Sequence, residues 1–335
     1  MVNLEFAQAL PQLTELVGQF SQQRILVVGD LTLDEFVTGE VERLSREAPV
    51  LIVRHEHTVQ VPGGGANAIY NLAKLGAQVI AVGIVGDDPQ GQALKQIFRQ
   101  AGIDVTGVFT DPSRPTVTKT RISAHARQSV TQQIVRLDRK SDQVPPSLVQ
   151  TQIAEYIARH MAMVDGVVCS DYGEGVMQPG VIAAALKHRL VVVDTQKQLE
   201  RYRGASIFTP NLPEAELAVG YQITEANLGR AGQELLALTQ AQQILITRGE
   251  DGMSLFDRQG NHDHVPAFNR TQVFDVTGAG DTVVAALTLG LAAGGDAWQG
   301  MVLGNLAASI VVRQFGTSTT NSEQLLAAIA TLALQ

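Results

Sequence analysis

The sequence predicts an α/β protein with a doubly wound, mostly parallel central sheet, helices on both faces of that sheet, and a small second β-sheet. Three observations support this fold class. Short apolar runs recur along the chain, amphipathic helical patterns separate them, and two stretches of alternating polar and apolar residues interrupt the rhythm. Because buried parallel strands appear as continuous apolar runs, their alternation with helices indicates a parallel sheet covered on both faces.

The predicted elements begin with an amphipathic helix whose apolar stripe runs from Leu4 to Phe20. The first strand follows at 24–29, an apolar run that ends in glycine and is typical of the start of an α/β sheet. Further buried strands are predicted at 79–85, 166–169, 190–193, 206–208 and 244–247. Helices are predicted at 65–75, 91–101, 148–163, 179–187, 226–238 and over most of 280–334.

Two stretches show the alternation of strands that have one exposed face. They cover about 35–61, with a turn near 45–49, and about 115–138. Two hairpins inserted into an α/β domain would form a small, half-covered sheet. We expect this sheet to act as a lid over a ligand crevice, as a homodimer contact, or as both. No repeat or linker interrupts the chain, so residues 1–335 are predicted to form one domain with a discontinuous lid.

Composition excludes several classes of partner. The net charge of −8 and the pI of about 5.4 argue against nucleic acid and anionic membranes, because an acidic surface repels both. No apolar run approaches the roughly 20 residues that span a membrane. The N-terminus lacks the pattern of a signal peptide, so we expect a soluble, cytoplasmic protein. The single cysteine, Cys169, permits no internal disulfide and is interpreted as a buried thiol.

The strongest chemical signal is the segment 274–282, Phe-Asp-Val-Thr-Gly-Ala-Gly-Asp-Thr, which precedes an apolar helix. Gly278 and Gly280 allow a sharp turn, and the N-terminus of the following helix directs free N–H groups at an anion. Phosphoryl transfer needs such donors together with a carboxylate that takes the proton of the attacking hydroxyl. Asp281 is the candidate for that carboxylate, and a glycine-rich turn capped by Asp281 is the structural alternative.

Two further segments suit a ligand rich in hydroxyl groups. Residues 62–67, Pro-Gly-Gly-Gly-Ala-Asn, open a predicted helix, where Asn67 offers both a donor and an acceptor. Residues 29–34, Gly-Asp-Leu-Thr-Leu-Asp, end the first strand, where ligands of open α/β sheets bind. Asp30 or Asp34 could therefore hold hydroxyl groups, although turn and cap chemistry is the favoured interpretation of Asp30.

Two later segments suit a nucleotide and its metal ion. Asn211 and Glu214 share one face of a first helical turn and could orient Mg²⁺ through waters, the usual mode for this ion. A capping box at the same two residues explains the spacing equally well. The segment 247–252, Thr-Arg-Gly-Glu-Asp-Gly, is a weaker signal at a strand end. His262 and His264 are interpreted as part of an exposed hairpin and not as a metal site.

In this order, the segments resemble the PfkB family of ribokinase-like carbohydrate kinases over essentially the whole chain, and residues 275–281 are the most specific match. The resemblance implies ATP, Mg²⁺ and a sugar acceptor, with Asp281 as general base and an anion hole at Gly278, Ala279 and Gly280. It places the nucleotide near Asn211, Glu214, Thr247, Arg248, Gly249, Gly252 and Asn305. It places the sugar near Asp34, Gly63, Gly64, Gly65 and Asn67. It also implies a monovalent-cation site, suited to K⁺, beside Asp275 and Thr277.

Within that family, the similarity is to the kinase domain of bacterial heptose biosynthesis, which phosphorylates the anomeric hydroxyl of D-glycero-β-D-manno-heptose 7-phosphate. It is carried by residues 44–50, 119–121, 133–138, 170–173 and 273–282. The resemblance makes Lys119, Arg121 and Arg136, all in the expected lid, candidates to hold a sugar phosphate. Exposed lid charge is the alternative interpretation of these three residues.

The chain departs from that pattern at several points. Glu174 stands where the heptose enzymes carry a basic residue, and the sequence from Asp194 to Lys197 replaces their Asp-Pro-Lys. The segment 124–131 is longer than usual. The His-x-Gly-His motif of a following nucleotidyltransferase domain is missing, so we expect the kinase step alone. A kinase for a free sugar or a nucleoside, and a catalytically silent sugar-binding regulator, are the alternatives.

Overall fold

The computed structural model describes residues 4–126, 130–269, 273–314 and 316–332. Two sheets organise this part of the chain, one of nine strands and one of four. The strands are β1 (Arg24–Gly29), β2 (Leu31–Leu44), β3 (Leu51–Gly64), β4 (Gln78–Val85), β5 (Asp104–Thr110), β6 (Val117–His125), β7 (Gln132–Arg139), β8 (Gly166–Asp171), β9 (Val191–Thr195), β10 (Ile207–Phe208), β11 (Gln243–Thr247), β12 (Met253–Asp257) and β13 (His262–Val265).

The helices lie between these strands and after the last of them. They are α1 (Leu4–Gly18), α2 (Gly65–Lys74), α3 (Pro89–Gln100), α4 (Ser147–His160), α5 (Pro179–Ala185), α6 (Leu212–Val219), α7 (Leu228–Thr239), α8 (Ala279–Ala292), α9 (Ala297–Val311) and α10 (Ser322–Leu332). Among the described residues, no helix combines the length and the apolar character that a membrane span requires.

The large sheet has the strand order β13-β12-β11-β10-β9-β8-β1-β4-β5. The strands from β11 to β5 are parallel, whereas β12 and β13 are antiparallel additions at one edge. This mostly parallel order confirms the predicted fold class. The sequence analysis did not predict β5, because this edge strand is partly exposed and lacks a continuous apolar run.

Helices cover both faces of the large sheet, as the alternation along β1 shows. Ile25 and Val27 pack into a core with α1, α2, α8, α9 and α10, whereas Leu26 and Val28 pack into a second core with α4, α5 and α7. Since neighbouring residues of a strand point to opposite faces, one buried strand contributes to both cores. All strand side chains of β1 except that of Arg24 are therefore buried.

The small sheet, of order β3-β2-β6-β7, is joined to the large sheet through Asp30, which separates β1 from β2. β2 pairs antiparallel with β3 and parallel with β6, and β6 pairs antiparallel with β7. The predicted turn near 45–49 lies between β2 and β3. β7 is exposed along its whole length, so it is less covered than the predicted half-buried alternation. Residues 127–129, within the segment noted for its length, lie outside the described residues.

Candidate active site

A cavity of about 180 Å³ lies where the carboxyl ends of β8, β9 and β11 meet the start of α8. Its polar lining includes Asp171, Tyr172, Asp194, Gln196, Thr209, Asn211, Glu214, Thr247, Gly278, Gly280 and Asp281. Because the carboxyl ends of parallel strands meet at one edge, residues distant in sequence converge there. Of the catalytic candidates, Gly278, Gly280 and Asp281 therefore share one cavity with the proposed magnesium residues, whereas Ala279 is not part of its lining.

The glycine-rich segment turns sharply into α8. Gly278 caps this helix with a φ of 78°, and a Cβ at this position would lie only 2.6 Å from Asn67 Nδ2. Both facts restrict the position to glycine. The N–H group of Ala279 donates to the carbonyl of Val276 at 3.1 Å. The amides of Gly280 and the residue after it have no backbone acceptor in the described chain, so they can face an anion.

The Asp281 side chain is 5% exposed and is held by two neutral donors. Asn67 Nδ2 donates to its Oδ2 at 2.7 Å, and the Tyr172 hydroxyl donates to its Oδ1 at 2.9 Å. Asn71 Nδ2 in turn donates to Asn67 Oδ1 at 3.1 Å, and the Thr282 hydroxyl donates to Asn71 Oδ1 at 2.9 Å. This network links α2, α8 and the end of β8, and it fixes the orientation of the carboxylate.

The electrostatic surroundings of Asp281 suit a proton acceptor. Burial raises the pKa of its carboxyl group to about 6, and the charge of Asp34 acts in the same direction. The hydrogen bonds from Asn67 and Tyr172 and the charge of Lys119 oppose this rise. The group is consequently ionised at neutral pH, yet it binds a proton more readily than an exposed aspartate does.

The predicted sugar-binding residues lie together at the start of α2 and on β2. Asp34 is buried, and a Cβ at Gly63 would lie 2.7 Å from its carboxyl carbon, so this approach requires glycine. Gly64 has a φ of 52°, in the left-handed region, and Gly65 begins α2. Asn67 follows in the first turn of the helix and reaches Asp281.

Asp30 has a structural role, as the sequence analysis favoured. Its buried carboxylate accepts backbone N–H groups from Tyr172 at 2.8 Å, Glu174 at 3.0 Å and Val176 at 3.1 Å. Its carbonyl accepts the N–H group of Gly65 at 3.0 Å. With these contacts it joins the loop after β8 to the start of α2, so its carboxylate and its carbonyl serve the fold.

The basic residues of the small sheet differ in whether a carboxylate partner leaves them available to bind a phosphate. Asp34, Lys119 and Asp138 stand side by side on β2, β6 and β7. Arg121 Nη1 lies 3.0 Å from Asp34 Oδ1, and Arg136 Nε donates to Asp138 Oδ1 at 2.7 Å. Both guanidinium groups are thus paired with carboxylates, and Arg136 is on the exposed edge strand. The ammonium of Lys119 instead lies 5.8 Å from the centre of the Tyr172 ring.

A second cavity, of about 710 Å³, adjoins the first through Asn211, Thr247 and Gly280. Much of its wall is apolar, and its volume suits a nucleoside. The apolar lining includes Leu212, Pro213, Met253, Ala267, Val273, Val276, Val283, Ala308 and Val312. The structure brings the remaining nucleotide-binding candidates to this wall, namely Arg248, Gly249, Gly252 and Asn305.

Several of these nucleotide-binding candidates also have packing roles. Asn305 Nδ2 donates to the Pro266 carbonyl at 3.0 Å, which ties α9 to the segment after β13. Arg248 is ion-paired with Glu225 and donates to the Ser254 hydroxyl at 3.0 Å. These contacts shape the wall and leave little of the Arg248 side chain exposed.

Asn211 and Glu214 form the capping box that the sequence analysis offered as an alternative. Asn211 Oδ1 accepts the N–H group of Glu214, and Glu214 Oε2 accepts the N–H group of Asn211, both at 2.9 Å. Burial nevertheless raises the pKa of Glu214. Capping and cavity lining are therefore compatible, because the second carboxylate oxygen stays available.

Asp194 was not among the site residues predicted from sequence, although it directly follows a predicted strand. Burial, followed by the charges of Asp281 and Glu214, raises its pKa well above the ordinary value. A divalent cation would relieve this crowding of carboxylates, so the donor set of Asp194, Glu214 and Asn211 fits Mg²⁺. Within the described ranges, no three acidic, His or Cys side chains could ligate one metal ion directly. Binding through waters agrees with this spacing.

Hydrogen bonds hold the segment that is proposed to border a monovalent cation. Asp275 accepts the N–H groups of Thr277 at 2.9 Å and of Gly316 at 3.0 Å. Partial burial pushes the pKa of Asp275 upwards, but these hydrogen bonds lower it overall. The nearby hydroxyl of Thr317 is buried with no partner in the described chain. A carboxylate beside an unpaired hydroxyl oxygen is a donor set that fits K⁺.

Residues 22–324 match the pfkB family of carbohydrate kinases. The bifunctional protein HldE of Geotalea uraniireducens (strain Rf4) is 41% identical over 325 residues, which cover 95% of this chain and 65% of that protein. The HldE protein of Geobacter sulfurreducens is 42% identical over 312 residues, which cover 91% of this chain and 62% of that protein. The chain thus spans less than two thirds of the length of these relatives.

Solved structures show the same fold at low sequence identity. Phosphofructokinase-2 from Escherichia coli, in complex with potassium, has a TM-score of 0.73 at 20% identity, covering 92% of this chain and 99% of that one. Ribokinase from Arabidopsis thaliana, complexed with ribose and ATP, has a TM-score of 0.71 at 19% identity, covering 92% and 98%. These structures show the shared fold, and the family match over residues 22–324 establishes that the chain belongs to the pfkB family and is an ATP-dependent carbohydrate kinase.

Proposed function

We propose that this sugar kinase phosphorylates the anomeric hydroxyl of a heptose 7-phosphate, D-glycero-β-D-manno-heptose 7-phosphate. The observation that carries the proposal is the position of Lys119. Its ammonium group lies over the ring of Tyr172, whose hydroxyl is bonded to Asp281, and it forms no salt bridge within the described chain. A lysine at this ring, with no salt bridge of its own there, suits the binding of a phosphate group on the sugar. Segments 119–121 and 170–173, which resemble the heptose enzymes, supply these residues.

In the proposed reaction, Asp281 accepts the proton of the sugar hydroxyl as its oxygen attacks the γ-phosphorus of ATP, and ADP leaves. Asn67 and Tyr172 keep the carboxylate oriented, while the amides at the start of α8 face the transferring phosphoryl group. Mg²⁺, when bound, neutralises charge on the phosphate oxygens and would be held through waters by Asp194, Glu214 and Asn211. The small sheet, as a lid, would exclude water and limit ATP hydrolysis.

A substrate panel tests the proposal. ADP release should be fastest with heptose 7-phosphate, compared with the unphosphorylated heptose, ribose, fructose and fructose 6-phosphate. Lys119→Ala should raise KM for the sugar phosphate about tenfold or more, since a charge-assisted contact contributes roughly 1.5–3 kcal/mol. The matched control is Lys187→Ala, at an exposed lysine outside both cavities. A KM that is unchanged in Lys119→Ala would remove this lysine from phosphate binding.

One observation favours a second candidate, a kinase for an unphosphorylated sugar. Glu174 lines a cavity of about 470 Å³ that also includes Tyr172, and its carboxylate lies 4.0 Å from the Lys140 ammonium. An acid in this place would repel a phosphate that extended past Tyr172. Turnover only on a free sugar in the panel would support this candidate and discard the heptose phosphate, while the kinase assignment would stand.

We also propose that the protein forms a homodimer through the small sheet. Every residue of β7 is exposed, including Ile134, Val135 and Leu137, and this edge strand has unpaired backbone groups on one side. Val135→Asp is expected to convert a dimer into a monomer in light scattering, because a charge would be buried without a partner. Val144→Asp, at an exposed valine outside the small sheet, should not change the measured mass. A wild-type monomer would contradict the proposal.

A K⁺ ion beside Asp275, Thr277 and Thr317 completes the proposed set of ligands. Asp275 and the Thr317 hydroxyl, near the turn that precedes α8, would hold the ion. There it would stabilise the turn that presents the amides to the phosphoryl group.

A further inference from the structure

We infer that Tyr172 is a positioning residue that fixes the Asp281 carboxylate for proton acceptance. The inference rests on the proposed role of Asp281 and adds a residue that acts through it. Tyr172 directly follows β8, and its hydroxyl donates to Asp281 Oδ1 at 2.9 Å. Asn67 donates to the other oxygen at 2.7 Å. Each carboxylate oxygen therefore has one donor from the protein.

Two donors on different oxygens prevent a rotation of the carboxylate that a single donor would allow. A carboxylate held at a single oxygen can still rotate about its Cβ–Cγ bond, whereas donors from α2 and from the loop after β8 remove that rotation. Each oxygen of an ionised carboxylate accepts two hydrogen bonds, so a free acceptor position remains on both. The carboxylate of Asp281 is thus oriented and can still accept a hydrogen bond from a substrate hydroxyl at the free position.

Tyr172 is itself held from two directions, at its backbone and at its ring. Its backbone N–H group donates to Asp30 Oδ2 at 2.8 Å, and the same oxygen accepts the N–H group of Glu174 at 3.0 Å. Asp30 is buried directly after β1, so the loop carrying Tyr172 is anchored to the centre of the large sheet. Lys119, on β6 of the small sheet, lies against the ring. The hydroxyl position is consequently defined by both sheets.

The charges around Asp281 explain why a neutral hydrogen-bond donor helps to keep its carboxylate ionised. Asp34 on β2 adds negative charge near Asp281, and Lys119 on β6 adds positive charge. Asp194 on β9 and Glu214 on α6 are further acidic groups of the same cavity, and burial raises the pKa of both. Burial and the charge of Asp34 favour the protonated, inactive form of Asp281. A hydroxyl donor opposes them because it stabilises the ionised form and adds no charge of its own.

The test is the pH profile of Tyr172→Phe in the full-length chain. We expect kcat at the alkaline plateau to fall about tenfold, since orientation is lost. We expect the acid limb of the kcat profile, where activity falls as the base is protonated, to move to higher pH by about one unit. A hydrogen bond to an ionised group contributes roughly the free energy of such a pKa shift. KM for ATP should stay within twofold of the wild-type value.

Tyr202→Phe is the matched control. The Tyr202 hydroxyl also donates to a buried carboxylate, Asp171 Oδ2, at 2.7 Å, but it makes no contact with Asp281. Ionisation of the substrates affects both variants equally, so a difference between their acid limbs must come from a group on the protein. An acid limb of Tyr172→Phe that matches wild type and control would overturn the inference.

A second variant covers the case in which Tyr172→Phe does not fold. Replacement of Tyr172 by 3-fluorotyrosine preserves the packing almost entirely and makes the hydroxyl a stronger donor. The acid limb should then move to lower pH, the opposite direction from Tyr172→Phe. No shift, or an upward shift, would count against the hydrogen bond. Failure of Asp281 itself as the base is a separate outcome, because it would appear as full activity in Asp281→Asn.

Discussion

Replacement of Asp281 by asparagine is expected to lower kcat about 10³-fold while the fold and ATP binding persist. The carboxylate is the proposed acceptor of the sugar proton, and general-base catalysis contributes roughly 10²–10⁴-fold. An amide of the same shape cannot take that proton. Single-turnover ADP formation measures the loss, and calorimetric titration with ATP measures the binding.

The variant should not be less stable than the wild type at neutral pH. Since burial raises the pKa of Asp281 to about 6, the folded state binds a proton there more tightly than the unfolded chain does. The ionised group therefore costs stability above about pH 6, and this cost is relieved as pH falls through the folded pKa. Asparagine removes the cost, so the melting temperature at pH 8 should be equal or higher.

A buried aspartate outside both cavities supplies the control. Asp111 accepts the N–H group of Ser113 at 2.9 Å and makes no contact with the candidate site. Asp111→Asn should lower the melting temperature with little change in kcat, the reverse of the pattern for Asp281→Asn. Near-normal turnover in Asp281→Asn would remove Asp281 from its role.

Replacement of Gly278 by alanine is expected to lower kcat about 10²-fold and to destabilise the protein. Alanine at a φ of 78° costs about 1–2 kcal/mol. Its Cβ would also lie 2.6 Å from Asn67 Nδ2, so the amide must move away from Asp281. One change thus disturbs both the turn before α8 and the orientation of the base. Steady-state kinetics and thermal melting measure the two effects.

Gly102→Ala is the control that separates the loss of stability caused by alanine at a positive φ from the loss of activity caused by disturbing the site. Gly102 has a φ of 73°, and a Cβ there would meet nothing within 4 Å. It should show a similar loss of stability with unchanged kcat. If Gly278→Ala lost no more activity than this control, the proposed link between Gly278, Asn67 and Asp281 would be wrong.

The sequence by itself determined the fold class and the order of its parts. Apolar runs marked β1, β4, β8 and β11 to within a few residues, because strands buried on both faces must be apolar throughout. The segment before α8 was also evident, since its glycines and its aspartate are local requirements of one turn. The match over residues 22–324 bears out the family that these segments indicated.

Only the tertiary structure decided which side chains meet across the site. Tyr172 and Asn67 are 105 positions apart in sequence, yet both donate to Asp281. Arg136 looked available from its alternating strand, but it is paired with Asp138 two positions along the same strand. Asp194 was noted only as the start of the segment that replaces Asp-Pro-Lys, and it enters the site because β9 lies beside β8. The periodicity of a segment indicates which of its faces is buried. Which residues become neighbours across a sheet depends on strand order and register, and these cannot be read from a single segment.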